Sequence, residues 1–388
     1  MEDIKRILPG NLADYLDYFK IIGILGPRQV GKTTYARQVM ALFPERQFEY
    51  IDLESSEDSR KLADAETWLK QQKGKTVVID EIQQRPELFG LLRSVVDKSK
   101  EKGQFIILGS ASPDIIQKAG QTLAGRIHYI FLTPFALSEV GMANIYQHWV
   151  RGGYPDSWLA PNDSLSLTWR KDYIEGFVYR DLGSMGFGIT PATMQRLLQM
   201  IAHLHGSILN KAVLANSLGV SSTLVTTYID ILTGSFMVRQ LQPFFVNVGK
   251  RLVKSPKIYL ADSGILHALH YAGNYIDLSG HPIAGMSWEG YVIEEIRKAT
   301  GQQWQYFFYR THNGAECDLF CISPSGRKLA IEIKLSNSPS ISKGFYQSIE
   351  DLKPDESFVV VPTVTAYRQK DGITITGLPD FLNLITKF

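Results

Sequence analysis

Five short apolar runs, with helical patterns between most of them, occupy the first third of the chain. The runs are Ile21–Leu25, Phe48–Asp52, Thr76–Glu81, Phe105–Gly109 and His128–Leu132. One of the helical patterns spans Leu88–Val96. Strands that alternate with helices are typical of a parallel sheet covered by helices on both faces. The pattern therefore predicts a doubly wound α/β domain.

The middle of the chain is predominantly helical. Helical spacing of apolar residues predicts four helices, at Leu165–Arg180, Met194–Leu204, Lys211–Leu218 and Ser222–Leu232. The last two are joined by the short turn Gly219-Val220-Ser221, which is the layout of a helix-turn-helix. Two strands, Phe236–Leu241 and Lys257–Leu260, follow as an expected wing. We interpret this part as a winged-helix region.

The last third returns to a mixed pattern of one helix and several strands. An amphipathic helix at Ser287–Ile296 precedes three predicted strands, which are Gln305–Arg310, Glu316–Ile322 and Lys328–Lys334. A length of 388 residues is sufficient for two or three domains. We predict an α/β domain over residues 1–150, a helical and winged-helix domain over 151–280, and a second α/β domain over 281–388.

Composition and charge narrow the range of functions. The chain has 41 basic and 39 acidic residues, and 44% of its residues are hydrophobic. This composition argues against global disorder, and the net charge of +2 excludes a bulk field that would drive binding to nucleic acid or membrane. No apolar stretch approaches the roughly 18 residues of a transmembrane helix, and the N-terminus lacks a signal-peptide core. We expect a cytoplasmic protein with no membrane contact.

The chain has only two cysteines, Cys317 and Cys321. Two cysteines exclude a disulfide framework and a four-cysteine zinc site. Strand alternation places both on one face of the strand Glu316–Ile322, where we interpret them as small core residues.

The segment after the first strand has the sequence of a phosphate-binding loop. Residues 26–33 match G-x-x-x-x-G-K-[ST] in full and run from a predicted strand into a predicted helix. In such loops, backbone N–H groups and the helix N-terminus surround phosphate, the lysine reaches the β- and γ-phosphates, and the hydroxyl ligates Mg²⁺. The predicted ATP-binding residues are Gly26, Pro27, Arg28, Gln29, Val30, Gly31, Lys32, Thr33 and Thr34.

Further candidates for the same site lie at the ends of later strands. Asp80 and Glu81 end an apolar run, as in a Walker B strand, so we expect Asp80 to join Thr33 at Mg²⁺ and Glu81 to polarise the attacking water. Ser110, in Gly109-Ser110-Ala111-Ser112, is a candidate sensor of the γ-phosphate or a turn serine. Arg126 is a candidate arginine finger or sensor, or a surface residue.

These motifs carry a resemblance to a known family. The runs GPRQVGKTT, VVIDEIQQRPEL, ILGSAS, LAGR and LTPFALSE, and then GGYP, resemble the AAA-domain ATPases with a DUF4143 C-terminal region, which are related to the AAA+ superfamily. The resemblance covers most of the chain. It implies an AAA+-like P-loop sheet with ATPase activity, followed by a winged helix and a restriction-endonuclease-like α/β domain.

The helix-turn-helix suggests contact with DNA through residues 211–257 and the C-terminal domain. Helix Ser222–Leu232 would enter the major groove, and a basic segment would contact phosphates. That segment contains Lys250, Arg251, Lys254 and Lys257. The proposed recognition helix has no lysine or arginine, however, so only serine and threonine hydroxyls could contact bases. A rigid lid or a protein-interaction module is the alternative.

The C-terminal strands contain the residues of a PD-(D/E)xK nuclease signature. Asp318 precedes Glu332-x-Lys334, and Glu289 matches the helix carboxylate that often accompanies them. Adjacent strands can bring Asp318 and Glu332 together to bind Mg²⁺ or Mn²⁺. Lys334 shares a face with Glu332 and would assist catalysis. Reuse of a nuclease-like domain as a binding module is the alternative.

The sequence thus predicts a Mg²⁺-dependent ATPase that controls a winged-helix and nuclease-like region acting on DNA. The rival interpretation is an ATP-dependent switch whose C-terminal domains bind a protein partner without nuclease activity. Self-association as a homo-oligomer is left open by both interpretations.

Overall fold

The computed structural model describes residues 4–7, 12–111, 123–182, 189–245 and 252–388. Ser112, Lys250 and Arg251, which the sequence analysis singled out, lie outside these ranges. The chain divides into two compact units. The first comprises Met1–Pro134 with Gly234–Phe236, and the second comprises Phe135–Thr233 with Met237–Phe388.

The first unit is built on a parallel sheet of five strands in the order β2-β3-β4-β1-β5. The strands are β1 Ile21–Leu25, β2 Phe48–Asp52, β3 Thr76–Asp80, β4 Phe105–Gly109 and β5 Ile127–Phe131. The three central strands, β1, β3 and β4, are buried at every residue, whereas the edge strands β2 and β5 are half-buried. The predicted parallel α/β sheet is confirmed.

Helices cover this sheet, and most connect successive strands. They span Leu12–Tyr18, Lys32–Leu42, Ser56–Lys61, Ala65–Gln71 and Leu88–Lys98, with a 3₁₀ turn at Ile82–Gln84. Local capping defines several of their starts, since the Ser55 and Asp64 side chains accept hydrogen bonds from backbone N–H groups in the following turns. One apolar cluster lies on each side of the sheet, because alternate strand residues such as Ile21 and Ile22 point to opposite faces.

The second unit contains a mixed sheet of nine strands in the order β13-β14-β12-β11-β10-β9-β7-β8-β6. The strands are β6 Ser207–Ile208, β7 Val238–Pro243, β8 Lys257–Leu260, β9 Gln305–Arg310, β10 Glu316–Ile322, β11 Lys328–Ile333, β12 Glu356–Val361, β13 Tyr367–Arg368 and β14 Thr374–Gly377. Parallel pairing of β7 with β9 joins the predicted wing strands to the predicted hairpin strands. One sheet therefore contains strands from both sides of the predicted domain boundary at residue 280. The division into three domains stays a prediction.

The helices of the second unit pack on this sheet and on one another. They span Leu137–Val140, Ile145–Arg151, Pro155–Trp158, Asp163–Gly176, Pro191–His203, Lys211–Leu218, Ser222–Gly234, Ser263–Leu269, Tyr275–Ser279, Ala284–Thr300, Lys343–Leu352 and Leu378–Ile385. A 3₁₀ turn lies at Met142–Asn144, and a π-helical turn at Phe177–Asp181 extends the helix before it.

The two helices of the predicted helix-turn-helix are present. Lys211–Leu218 and Ser222–Gly234 bend by 104° across their connecting turn, within the range of about 90–120° that is usual for this motif. Within the described ranges, no single helix has the length and apolar composition needed to span a membrane, although this bent pair meets those criteria jointly.

A β-bulge in β10 overturns one expectation. The register of β10 against β9 shifts between Cys317 and Phe320. The extra residue in a bulge reverses the facing of the side chains beyond it. Cys317 accordingly packs in one apolar cluster with Phe320, while Cys321 packs in another with Leu319. Both cysteines are buried, but the prediction that they share a face was wrong.

Three buried histidines make the second unit sensitive to acid. His148, His205 and His267 are enclosed by the core, and burial lowers the pKa of each to about 3. Their ring nitrogens bond internal groups, as in the 3.0 Å contact of His148 Nδ1 with the Tyr291 hydroxyl. Folding therefore requires these rings to be neutral.

We predict that the free energy of unfolding falls as the pH drops from 7 to 5. Because the folded-state pKa lies below the unfolded value of 6.5, this stability is complete above pH 6.5 and is lost as the pH falls toward 3. At pH 5, each histidine lowers the free energy of unfolding by up to about 2 kcal/mol relative to pH 7. Melting temperatures across this range test the effect. His148→Gln should flatten the pH dependence, whereas the exposed control His312→Gln should not; equal slopes would contradict the account.

Candidate functional site

The phosphate-loop residues lie at the carboxyl end of the parallel sheet. The loop begins at Gly26, directly after β1, and helix Lys32–Leu42 begins at its end. Strand β4 lies between β1 and β3, so Ser110 at the end of β4 falls between the loop and the Asp80-Glu81 pair at the end of β3. The sheet order thus brings three separate sequence motifs to one edge.

Glycine is required at both ends of the loop. A Cβ atom on Gly26 would lie 2.2 Å from the Leu132 carbonyl oxygen, which is far inside van der Waals contact. Gly31 has a φ of 89°, in the left-handed region that residues with a side chain rarely adopt. Between them, Pro27 and Val30 are buried, Arg28 is half-buried, and Gln29 is exposed, as is Thr34 beyond the loop.

The Lys32 side chain is 5% exposed and folds back over its own loop. Its ammonium donates to the Pro27 carbonyl at 3.0 Å, to the Gly26 carbonyl at 3.4 Å and to Ser110 Oγ at 2.8 Å. Burial lowers the pKa of Lys32 below its ordinary value, and the negative charges of Glu81 and Asp80 oppose this only in part. Its partners at hydrogen-bond distance are neutral dipoles, which compensate its charge incompletely.

The Asp80 carboxylate accepts three hydrogen bonds. Thr33 Oγ1 and the Tyr50 hydroxyl each donate to Asp80 Oδ2 at 2.6 Å, and the Glu81 N–H donates to Oδ1 at 2.9 Å. Asp80 therefore lies directly beside the hydroxyl that is expected to share a metal ion with it. Tyr50, on β2, was missed by the sequence analysis. The available signal was its position in the predicted strand Phe48–Asp52, two residues before the end of that strand. In the structure this strand pairs with β3, which carries Asp80.

Glu81 is fixed by side chains on two sides. Ser110 Oγ lies 3.1 and 3.0 Å from its two carboxylate oxygens, and the Gln83 amide donates to Oε2. The Oε1 of Gln83 in turn accepts from the Ser110 N–H at 3.3 Å. Glu81 itself adopts a left-handed backbone with a φ of 54°. Lys32, Ser110, Glu81 and Gln83 thus form one hydrogen-bonded chain, in which Gln83 was not predicted.

Two arginines lie in unexpected places. Arg126 precedes β5, and its guanidinium contacts both oxygens of Asp97 at 2.5 and 3.0 Å. It lies at the amino end of the sheet, roughly 16 Å along the strand direction from the loop, so it does not reach the loop of its own chain. Its role as a finger toward another chain stays a prediction. Arg6 was missed: it is buried and donates to Val30 O at 3.0 Å and Thr133 O at 2.6 Å.

In the second unit, a buried lysine lies among the carboxylates of the predicted nuclease centre. Lys257, on β8, is 2% exposed, and its ammonium lies 3.0 Å from Glu289 Oε1 and 3.4 Å from Glu316 Oε1. The Tyr259 hydroxyl donates to the same Glu289 oxygen at 2.6 Å. Burial alone would lower the pKa of Lys257, but attraction by Glu289, Asp318 and Glu316 outweighs it and raises the pKa above its ordinary value.

The other predicted residues of this centre also have partners. Asp318 Oδ2 accepts from the Ile333 N–H at 2.9 Å. Glu332 is buried, with Oε1 2.7 Å from the Lys334 ammonium and Oε2 without a hydrogen bond. Burial raises the pKa of Glu332, and Lys334 and the Ser342 hydroxyl oppose this rise. We call Glu289, Glu316, Asp318 and Glu332 the carboxylate cluster.

Two predictions for this region differ from the observed arrangement. Among the described residues, no group of three histidine, cysteine, aspartate or glutamate side chains is arranged to hold a metal ion. Lysines pair with Glu289 and Glu332, so the predicted Mg²⁺ or Mn²⁺ centre at Glu289, Asp318 and Glu332 is not supported by this arrangement and stays a prediction. Lys257, assigned to a basic DNA-binding segment, is instead buried with these acids, while Lys254 is exposed.

Comparisons with known families match the chain in three parts. Residues 18–141 match the AAA domain (AAA_14), residues 142–276 match the domain of unknown function DUF8612, and residues 284–381 match the domain of unknown function DUF4143. The first match agrees with the predicted AAA-type P-loop domain. The DUF4143 match begins at residue 284, so it does not include the predicted helix-turn-helix.

Two mycobacterial proteins are similar over nearly the whole chain. The uncharacterized proteins Rv2008c of Mycobacterium tuberculosis and Mb2031c of Mycobacterium bovis are each 39% identical over 375 residues, covering 97% of this chain and 83% of theirs. The chain is an AAA-domain P-loop protein. It belongs to the same family as these two proteins.

Solved structures align only weakly. They include the STAND protein with a tetratricopeptide repeat sensor, PH0952, from Pyrococcus horikoshii, at 10% identity over 76% of this chain and 45% of that chain, with a TM-score of 0.30. AMPPCP-bound DnaA from Aquifex aeolicus is 10% identical, over 57% of this chain and 84% of that chain, with a TM-score of 0.27. TM-scores this low support no structural argument.

Tyr50→Phe tests whether Tyr50 positions Asp80. Removal of the hydroxyl leaves Asp80 Oδ2 with Thr33 as its one side-chain donor in the described part of the chain, so the carboxylate is less well oriented for Mg²⁺. We expect the Mg²⁺ concentration for half-maximal nucleotide binding to rise by roughly tenfold, as is usual when a group that orients a metal ligand is lost. Tyr18→Phe, at an exposed tyrosine, is the control. An unchanged Mg²⁺ requirement would show that Tyr50 has no such role.

Proposed function

We propose that the chain binds ATP with Mg²⁺ and hydrolyses it at the edge of the first sheet. One observation carries the proposal. The buried Lys32 ammonium lies inside a complete phosphate-binding loop, and its hydrogen-bond partners among the described residues are carbonyl and hydroxyl oxygens. A buried cation that lacks a full counter-charge favours the arrival of an anion, and the loop backbone is suited to phosphate.

Nucleotide binding would exchange the partners of Lys32. The β- and γ-phosphates of ATP offer charged oxygens in place of the Gly26 and Pro27 carbonyls, and charged acceptors form stronger hydrogen bonds than neutral ones. The ammonium would also leave Ser110 Oγ, which it now contacts at 2.8 Å. Ser110 is then free to respond to the γ-phosphate, which fits its predicted role as a sensor.

The residues that would hold Mg²⁺ are already adjacent. Thr33 Oγ1 and Asp80 Oδ2 lie 2.6 Å apart and supply the oxygen ligands that Mg²⁺ prefers. The ion, when bound, neutralises charge on the phosphate oxygens. Tyr50 would keep the Asp80 carboxylate in place if the Thr33 hydroxyl became a ligand of the ion.

Glu81 is the proposed general base. It would accept a proton from the water that attacks the γ-phosphorus, while the bond to the ADP oxygen breaks. In the structure described here, Ser110 and Gln83 engage both Glu81 oxygens. Turnover therefore requires Ser110 to release Glu81, and the contact between Lys32 and Ser110 links that release to the arrival of ATP.

For the second unit, we propose the binding of a partner under ATP control, because the structure disfavours the two alternatives. The carboxylate cluster is internally neutralised, which does not favour metal-dependent cleavage. The helix Ser222–Gly234 exposes Asp230 together with serine and threonine residues, and an exposed acid disfavours contact with DNA phosphates. DNA binding through residues 211–257 and the exposed Lys254 stays a prediction, as does nuclease activity.

Glu81→Gln separates binding from hydrolysis. The substitution keeps the shape and hydrogen-bonding capacity of the side chain but removes the proton acceptor. We expect nucleotide affinity to stay within a few-fold of the wild type, while kcat for phosphate release falls by about 10²–10⁴-fold.

Glu87→Gln, at an exposed carboxylate six residues away, is the matched control and should leave kcat unchanged. Phosphate release at saturating ATP measures turnover, and displacement of a fluorescent nucleotide measures affinity. Hydrolysis by Glu81→Gln at the wild-type rate would refute the assignment of the base. Loss of binding together with hydrolysis would show that Glu81 serves the loop instead.

A further inference from the structure

The carboxylate cluster of the second unit contains four acidic side chains, whose negative charges must be offset in the folded protein. Four carboxylates converge there from three elements: Glu289 from helix Ala284–Thr300, Glu316 and Asp318 from β10, and Glu332 from β11. Neighbouring carboxylates repel one another, as Asp318 and Glu289 do, and burial adds to the cost. Some positive charge must therefore belong to the folded cluster.

Lys257 supplies that charge from a distant part of the sequence. Its ammonium bridges Glu289 Oε1 and Glu316 Oε1, at 3.0 and 3.4 Å, and the charge of Asp318 adds to the attraction. Lys257 reaches the cluster because β8 enters the same sheet as β10 through β7 and β9. Strand alternation then puts Tyr259 on the same face, where its hydroxyl also donates to Glu289.

The ammonium lies where a cation shared by these acids would be expected. A metal ion at Glu289 would need the oxygen lone pairs that Lys257 and Tyr259 now occupy. A divalent cation there would also meet the repulsion of a buried ammonium that is held at about 3 Å from its ligand. The Lys257 ammonium and a metal ion would therefore compete for Glu289 Oε1.

We propose that the Lys257 ammonium replaces a metal ion in the carboxylate cluster, so that the chain holds no divalent cation there and does not cleave phosphodiester bonds through it. The cluster is a permanent ion pair that ties β8 to helix Ala284–Thr300 and to β10. The inference is independent of ATP hydrolysis, which takes place in the first unit.

Removal of the lysine should convert the cluster into a metal site. Lys257→Met keeps most of the side-chain length without its charge and removes the ammonium from Glu289 Oε1 and Glu316 Oε1. These oxygens keep one contact each, with the Tyr259 hydroxyl at 2.6 Å and with the Arg310 guanidinium at 3.5 Å. Glu332 Oε2 is buried without a hydrogen bond and is available as a further ligand. Hard divalent cations such as Mn²⁺ take oxygen ligands of this kind.

Mn²⁺ binding to the full-length chain, measured by the EPR signal of free Mn²⁺ in the absence of nucleotide, tests the proposal. Every variant carries Asp80→Asn, which removes the metal ligand of the first unit. In the chain with Lys257 intact, we expect the same Mn²⁺ uptake with and without Asp318→Asn. Lys257→Met should bind one Mn²⁺ per chain and gain melting temperature when Mn²⁺ is added, and Asp318→Asn in that background should abolish both effects.

Lys254→Met, at an exposed lysine three residues earlier, is the matched control and should bind no Mn²⁺. Uptake by the chain with intact Lys257 that is lost in Asp318→Asn would overturn the proposal. A folded Lys257→Met variant that takes up no Mn²⁺ would also overturn it. If Lys257→Met does not fold, as judged by near-UV circular dichroism, the comparison of intact Lys257 with and without Asp318→Asn decides the question alone.

Discussion

The cost of burying a lysine charge is the constraint on which both units depend. An ammonium removed from water must regain its lost hydration from neighbouring oxygens, and neutral dipoles do this less completely than carboxylates. Lys32 has carbonyl and hydroxyl partners, and its pKa is lowered. Lys257 has carboxylate partners, and its pKa is raised. The first lysine is prepared for an incoming anion, whereas the second already has its counter-charge.

The sheet order turns this local difference into a working site. Because β4 separates β1 from β3, Ser110 lies within reach of both Lys32 and Glu81. The lysine proposed to bind phosphate and the carboxylate proposed to activate water are therefore linked by one hydroxyl. In the second unit, the continuous sheet brings Lys257 of β8 to the acidic residues of β10. The lysine charge offsets theirs, so the cluster lacks the unmet charge that would attract a ligand.

The sequence predicted local features well and long-range pairings poorly. The bounds of β9 and β10 agree with the pattern, since apolar runs are encoded by neighbouring residues. The Thr33–Asp80 contact is long-range and was expected only because each residue belongs to a recognisable motif. Tyr50 was missed because its contact with Asp80 depends on which strands are adjacent. The role of Lys257 was misassigned for the same reason. The bulge that sends Cys321 to a different cluster from Cys317 leaves no simple periodic signal.

Calorimetric titration of ATP with Mg²⁺ into the full-length protein tests the central claim most directly. The incomplete counter-charge of Lys32 predicts saturable binding at one site per chain, which Lys32→Ala should abolish while Lys70→Ala, at an exposed lysine, leaves it unchanged. Absence of binding by the wild type would contradict the account. So would equal binding by the wild type and Lys32→Ala, because it would place the nucleotide elsewhere than the loop.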